Sequence, residues 1–204
     1  MRRAAGDRDK SQGIIIGGRR CLPGVMVALL LGCAAPIKHY YPDTFFSQDN
    51  LYENKPLGFL LQYRGAWELF TDPRDMAATA REFARTLQKS GAELLFVGTT
   101  VEATQGTRGI AINLNLPALE YAQQIQKINA AEITKDLGFV DFIAGAVPAV
   151  KWEYLIGDFR FVEFFFVLDT YDIRIAFWTK KTIFDRFLPQ YEDIISSITL
   201  TARR

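Results

Sequence analysis

Residues 149–179 constrain the fold of this 204-residue chain more than any other stretch. Gly157-Asp158 and Asp169-Thr170 are two-residue turn signals set between apolar runs, and they predict three antiparallel strands. The middle run, Phe159–Leu168, is nearly all apolar, as in a strand covered on both faces. If both loops hold two residues, Phe159 pairs with Ile156 and Leu168 with Tyr171. Glu163 then lies between Trp152 and Ala176, and Arg174 lies opposite Phe165, diagonal to Glu163.

That register sorts the side chains. One face carries Val162, Phe164, Phe166, Ile173, Ile175 and Phe177, with Lys151 and Glu153 toward the edge, and reads as plain core under helices. The other carries Trp152, Tyr154, Phe161, Glu163, Phe165, Arg174 and Trp178. Aromatic rings around an ion pair suit a ligand or peptide surface. They equally suit a face covered by another helix, with Glu163 and Arg174 paired against each other. The expectation carried forward is that this face is at least partly open. Trp152, Tyr154, Phe161, Glu163, Arg174 and Trp178 are then the candidate partner-binding residues, because Trp and Tyr are enriched at binding hot spots. Asp158, Asp169 and Asp172 read as turn formers.

Upstream elements alternate. Gly58–Tyr63 is a strand candidate, turned at Gly65 onto Trp67–Phe70 as its partner. Asp72-Pro73 reads as the start of a helix with Met76, Ala80, Phe83, Ala84 and Leu87 on one face and Gly91 as its stop. Glu93–Gly98 and Thr107–Leu114 are two further strands. Pro117 opens a second helix with Leu119, Ala122, Ile125, Ile128 and Ile133 on its apolar side. Lys135–Pro148 reads as loop-rich, with Gly138, Gly145 and Pro148. A last helix from about Lys181 carries Phe184, Phe187, Leu188, Tyr191, Ile194 and Ile195, with Pro189 as a kink or a late start. The order predicts an α+β domain, an antiparallel sheet with helices on both faces, over residues 56–204.

The N-terminus has a different character. A basic stretch ends in Arg19-Arg20, and the apolar run Leu22–Leu31 is about half the roughly 20 residues a membrane span needs. Basic flank, short apolar run and small residue are the parts of a secretory signal. The ending Leu30-Leu31-Gly32-Cys33 resembles the lipobox of a bacterial lipoprotein signal. The resemblance implies a signal peptide over 1–32, cleavage before Cys33, and acylation of the Cys33 thiol and new amino group, with palmitate among the chains added. It also implies attachment of the mature protein to a membrane of the bacterial cell envelope. Ala34 stands where an Asp would signal inner-membrane retention, so the outer membrane is favoured in a host that has one. Residues 33–55, with Pro36, Pro42, Asp43, Asp49, Asn50 and Asn54, read as a lipidated tether. Tyr40, Tyr41, Phe45 and Phe46 in it either dock on the domain or sit at the lipid interface.

Chemistry is mostly excluded. Residues 1–33 hold six of the 24 Lys+Arg and two of the 23 Asp+Glu, which leaves 18 basic and 21 acidic residues and a net charge of −3. No basic surplus remains for nucleic acid. Cys21 leaves with the signal and Cys33 takes lipid, so no disulfide framework forms. The single histidine, His39, is in the tether, which removes Ser-His and Cys-His nucleophile pairs from the domain and makes zinc a poor fit. No phosphate loop or dinucleotide fingerprint occurs, and no cofactor or metal is expected. The carboxylates Glu153, Glu163 and Asp158 cluster on the meander, so a carboxylate-dependent envelope hydrolase is the alternative function.

Gly58-Phe59-Leu60-Leu61-Gln62-Tyr63-Arg64-Gly65-Ala66-Trp67 resembles the opening strand and following Trp of the PsbP-like family. Phe187 through Tyr191-Glu192-Asp193-Ile194-Ile195-Ser196-Ser197-Ile198 resembles its closing helix, and the meander fits its strand order. The helix at 74–90 looks like an insertion or a lengthened loop. The resemblance spans roughly residues 56–200 and implies an α-β-α sandwich, with binding or assembly rather than catalysis. The expected function is therefore a membrane-anchored, non-enzymatic lipoprotein that binds an envelope protein partner.

Overall fold

The computed structural model describes residues 44–202. Cys33, the signal segment, His39, Tyr40 and Tyr41 lie outside the described residues.

The meander sets the frame. β8 (Val147–Ile156), β9 (Phe159–Leu168) and β10 (Tyr171–Lys180) pair antiparallel through the two expected two-residue loops. Glu163 stands opposite Trp152 on one side and Ala176 on the other, and Arg174 stands opposite Phe165. Gly157 and Asp169 take φ of 58° in the loops, the left-handed conformation that tight turns need and that Gly and Asp tolerate.

Four more strands extend this sheet. β4 (Trp67–Phe70), β5 (Ala92–Thr100), β6 (Gln105–Ile112) and β7 (Lys135–Ala144) complete the antiparallel order β4-β5-β6-β10-β9-β8-β7. α1 (Ala78–Lys89) and α2 (Ala118–Asn129) pack on one face, against β5 and against β8 and β9 respectively. The other face carries α3 (Phe184–Ser196) and a second antiparallel sheet in the order β1-β2-β3-β11. Its strands are β1 (Thr44–Phe46), β2 (Leu51–Asn54), β3 (Phe59–Gln62) and β11 (Thr199–Leu200). The chain is thus α+β, with helices on both faces of an antiparallel sheet.

Each face has its own core. Phe164, Phe166, Ile173, Ile175 and Phe177 meet Tyr52, Phe59 and Leu61 of the small sheet and Phe184, Tyr191, Ile194 and Ile195 of α3. Trp152, Tyr154, Phe161 and Phe165 meet Ala84 and Leu87 of α1 and Tyr121 and Ala122 of α2.

Several expectations are corrected. The tether does not extend to residue 55: β1 and β2 already belong to the fold, and Tyr52 is fully buried. Phe45 docks edge-on against Tyr63, while Phe46 stays largely exposed. β3 and β4 do not pair. Gly65, at φ 88°, bends the chain out of the small sheet, and β4 joins β5 instead. Asp72 caps no helix: its Oδ1 accepts from the Arg74 N–H at 2.8 Å, closing a turn, and α1 begins six residues later. α2 buries Tyr121 and Ala122 and half-buries Ala118 and Ile125, leaving Leu119 exposed. Lys135–Pro148 is not loop but the β7–β8 hairpin, with a bulge between Asp136 and Gly138. Pro189 sits within α3, which runs through it. Among the described residues no helix is long and apolar enough to cross a membrane.

Candidate functional site

The six candidate residues lie on the face beneath α1 and α2, and the structure brings them together. Cross-strand pairing places Tyr154 opposite Phe161, and Phe161 opposite Trp178. Their rings form a continuous row: Trp152 and Tyr154 are 4.2 Å apart, Tyr154 stacks on Phe161 at 5.1 Å, and Phe161 on Trp178 at 5.8 Å. Aromatic rows of this kind add stability beyond the area they bury.

The row is covered, which corrects the expectation of an open surface. Trp152 and Glu163 are wholly buried, Tyr154, Phe161 and Arg174 nearly so, and only Trp178 is half-buried. The reason lies in the flanking helices. α2 sets Tyr121 edge-on against Phe165 at 5.5 Å, and α1 supplies Ala84 and Leu87. The Trp152 indole N–H donates to Asp136 Oδ1 at 2.9 Å, so even its polar edge is occupied.

Glu163 is the centre of a charge cluster larger than expected. Its Oε1 accepts from the Tyr154 hydroxyl at 2.8 Å and from Arg108 Nη2 at 3.3 Å, and its Oε2 faces Arg174 Nε at 3.6 Å. Arg108 was not anticipated. It stands on β6 opposite Ala176, which itself stands opposite Glu163. The small Ala176 side chain lets the arginine reach across β10 to the carboxylate. A short residue between an Arg and a Glu on three adjacent strands would have been the signal, but the β6–β10 register is set by a long connection and is not legible locally.

Two guanidinium groups on one carboxylate leave the cluster with a surplus positive charge. Burial, the largest single influence, would favour the neutral form of Arg174, but Glu163, Tyr121 and Tyr154 together outweigh it and hold its proton more firmly than usual. Burial together with the Glu163 charge pushes the Tyr154 hydroxyl well above the usual phenol range. The Tyr121 hydroxyl is pushed up to about 12, chiefly by burial. Neither phenol ionises near neutral pH, so both serve as neutral polar groups.

The surplus charge reaches solvent at one point. Arg108 keeps 26% of its side chain exposed, with its guanidinium 5.5 Å from the Phe83 ring and 5.9 Å from the Trp178 ring. Trp178 in turn lies over Gly106, where a Cβ would fall 2.2 Å from the indole. Phe83, Arg108 and Trp178 make a cationic, aromatic rim at the margin of the covered face.

The carboxylates of the alternative hydrolase do not converge. Glu153 and Glu163 project from opposite faces of the sheet, Glu153 pairing with Arg160 at 2.5 Å and Lys151 at 3.4 Å. Asp158 lies in the exposed β8–β9 loop, 3.0 Å from Lys181. Asp172 is not a turn former: it is fully buried on β10, and its carboxylate accepts from the Leu114 and Leu116 N–H groups at 3.0 and 3.1 Å, fixing the lead into α2.

No family model matches the chain, and no curated protein matches it. Among solved structures, it is similar to the solution structure of cyanobacterial PsbP (CyanoP) from Synechocystis sp. PCC 6803. That likeness has a TM-score of 0.53 and 10% identity, and covers 83% of this chain and 98% of the other. A structure from Bacteroides thetaiotaomicron VPI-5482 is similar at TM-score 0.39 and 12% identity, over 70% of this chain and 45% of the other, and no argument rests on it. Over most of its length, the chain has a PsbP-like α+β fold.

Proposed function

We propose that this chain is a lipid-anchored envelope protein with a non-catalytic binding or assembly role. The observation that carries the reading is the Leu30-Leu31-Gly32-Cys33 sequence, with ten residues between Cys33 and the first described strand at Thr44. Ten extended residues reach about 35 Å at most, so an acylated Cys33 would hold the domain close to the bilayer. One solved structure that shares the fold is named as a cyanobacterial PsbP, which fits the reading at the level of fold. Non-catalysis is supported by the separation of Glu153 from Glu163 and by the pairing of both with basic side chains.

Partner contact is assigned to the rim of Phe83, Arg108 and Trp178 rather than to the buried row behind it. A guanidinium held between two rings, over a cluster with surplus positive charge, suits a carboxylate on an envelope protein. The test is cross-linking in envelope membranes, followed by comparison of Arg108→Ala and Trp178→Ala with an Arg85→Ala control on the exposed side of α1. A specific cross-linked partner should fall about tenfold with the first two variants, equivalent to about 1.4 kcal/mol, and stay unchanged with the third. Equal recovery with all three removes the rim from the account. Hydrolase activity in a purified preparation that Glu163→Gln abolishes, with folding intact, would establish the alternative.

A further inference from the structure

β7 ends the seven-stranded sheet, and among the described residues it is hydrogen-bonded only to β8. It is ten residues long, and Leu137, Val140 and Ile143 on it are 40%, 58% and 59% exposed. Edge strands are ordinarily blunted by bulges, charges or proline. Here the bulge between Asp136 and Gly138 protects only the start, with Lys135 and Asp136 beside it. From Phe139 to Ala144 the one charged residue is Asp141.

The direction of the free backbone groups follows from the hairpin. Ala144 pairs with Val147 across the two-residue loop Gly145-Ala146. Such a loop is closed by a hydrogen-bonded pair, and hydrogen-bonded pairs alternate along the ladder. Ala144, Phe142 and Val140 therefore turn their N–H and C=O groups toward β8. Ile143, Asp141 and Phe139 turn theirs outward.

We infer that a second copy of this chain pairs with β7 through an antiparallel two-fold axis at Val140. With the outward groups on odd-numbered residues, a two-fold axis at an odd-numbered residue passes through a hydrogen-bonded pair and one at an even-numbered residue through a non-hydrogen-bonded pair. An axis at Asp141 would set the two Asp141 carboxylates directly opposite each other, which like-charge repulsion disfavours. An axis at Val140 sets Phe139 opposite Asp141 of the other copy, twice, and gives four backbone hydrogen bonds. Val140, exposed in the monomer, then meets its own counterpart as a close, non-hydrogen-bonded pair. Gly138, which has no side chain, faces Phe142 of the other copy, whose ring stays packed on its own Phe164, so this pair brings no clash. At this axis the strand meets itself at the centre of its exposed segment with no like-charge pair, the two exposed valines in contact, and two seven-stranded sheets become one continuous sheet. The overlap is short against the roughly 1,200 Å² of a stable interface, so the dimer is concentration-dependent. Confinement on a membrane would favour it.

The test uses the full chain with Cys21 and Cys33 changed to Ser, the two cysteines of the sequence. Val140→Cys is added in one variant, Asp141→Cys in a second and Val101→Cys in a third, Val101 being 63% exposed in the β5–β6 turn. A two-fold at Val140 sets the Cα atoms about 4.5 Å apart, within disulfide range. Val140→Cys should oxidise to a covalent dimer at least about tenfold faster than Val101→Cys and faster than Asp141→Cys. In sedimentation equilibrium the parent protein should show dimer that Val140→Lys weakens about tenfold or more. The inference is overturned if Val140→Cys oxidises no faster than Val101→Cys, if Asp141→Cys is fastest, or if the parent protein stays monomeric up to about 1 mM. The last two outcomes would mean a different register, or an edge reserved for another chain or segment.

Discussion

At the scale of single residues, Trp152 and Glu163 do different work from that expected of an open surface. Trp152→Ala is expected to cost about 3–5 kcal/mol, because a wholly buried indole is removed from between α2 and the sheet. The half-buried Trp178→Ala should cost clearly less, and urea melts of the two variants check the order. Glu163→Gln leaves Arg174 buried without its counter-charge and is expected to cost about 3–5 kcal/mol. A double change, Glu163→Leu with Arg174→Met, should recover much of that loss, since paired removal of buried charge is often near neutral. Asp172 gives a pH signature. Burial raises its carboxyl above the ordinary value, and the Leu114 and Leu116 N–H groups only partly offset this. The folded state then holds the proton more tightly than the unfolded one. Its contribution is fully present below the ordinary carboxyl value and is lost as pH rises through the raised one. The melting-temperature difference between the parent and Asp172→Asn should therefore grow on acidification from about pH 7 toward about pH 4, then level off. A constant difference would show that Asp172 is not perturbed.

At the scale of elements, what was legible depended on whether the determining contacts are local. The β8–β9–β10 register could be read because Gly157-Asp158 and Asp169-Thr170 fix it within a few residues. β7 could not, because its outer side meets solvent and Gly138 interrupts its alternation. The apparent β3–β4 hairpin failed because Gly65 redirects the chain between sheets, a choice made by distant partners β2 and β5. The cover over the Trp152 face depends on α2 crossing to β8 and β9, which no local pattern announces. The β7–β8 hairpin is also locked to the end of α3. At Gly145, φ is 62° and a Cβ would fall 1.9 Å from the Ile198 carbonyl oxygen, whereas at Gly157, φ 58°, a Cβ would meet nothing within 4 Å. Gly157→Ala should cost about 1–2 kcal/mol for its backbone conformation alone. Gly145→Ala must also displace backbone and should cost considerably more. Similar denaturation midpoints for the two would mean that the Gly145 contact with Ile198 yields easily.

At the scale of the whole molecule, the described residues form a PsbP-like body with a core on each face of its main sheet, and Cys33, the proposed site of acylation, precedes Thr44 with ten residues between them. Lys151–Glu192 and Arg160–Asp185 tie the main sheet to α3, and the Phe83–Arg108–Trp178 rim and the β7 edge remain accessible among the described residues. Both suit the proposed attachment to a membrane, where confinement would favour each contact, while the β7 pairing stands on strand geometry and does not require the lipid. The most direct measurement is metabolic labelling of the full chain with a palmitate analogue in a bacterial host, beside Cys33→Ala. The account predicts label on the parent protein, sedimenting with membranes, and no label on the variant. An unlabelled parent protein, or a Cys33→Ala variant labelled as strongly as the parent, would contradict it.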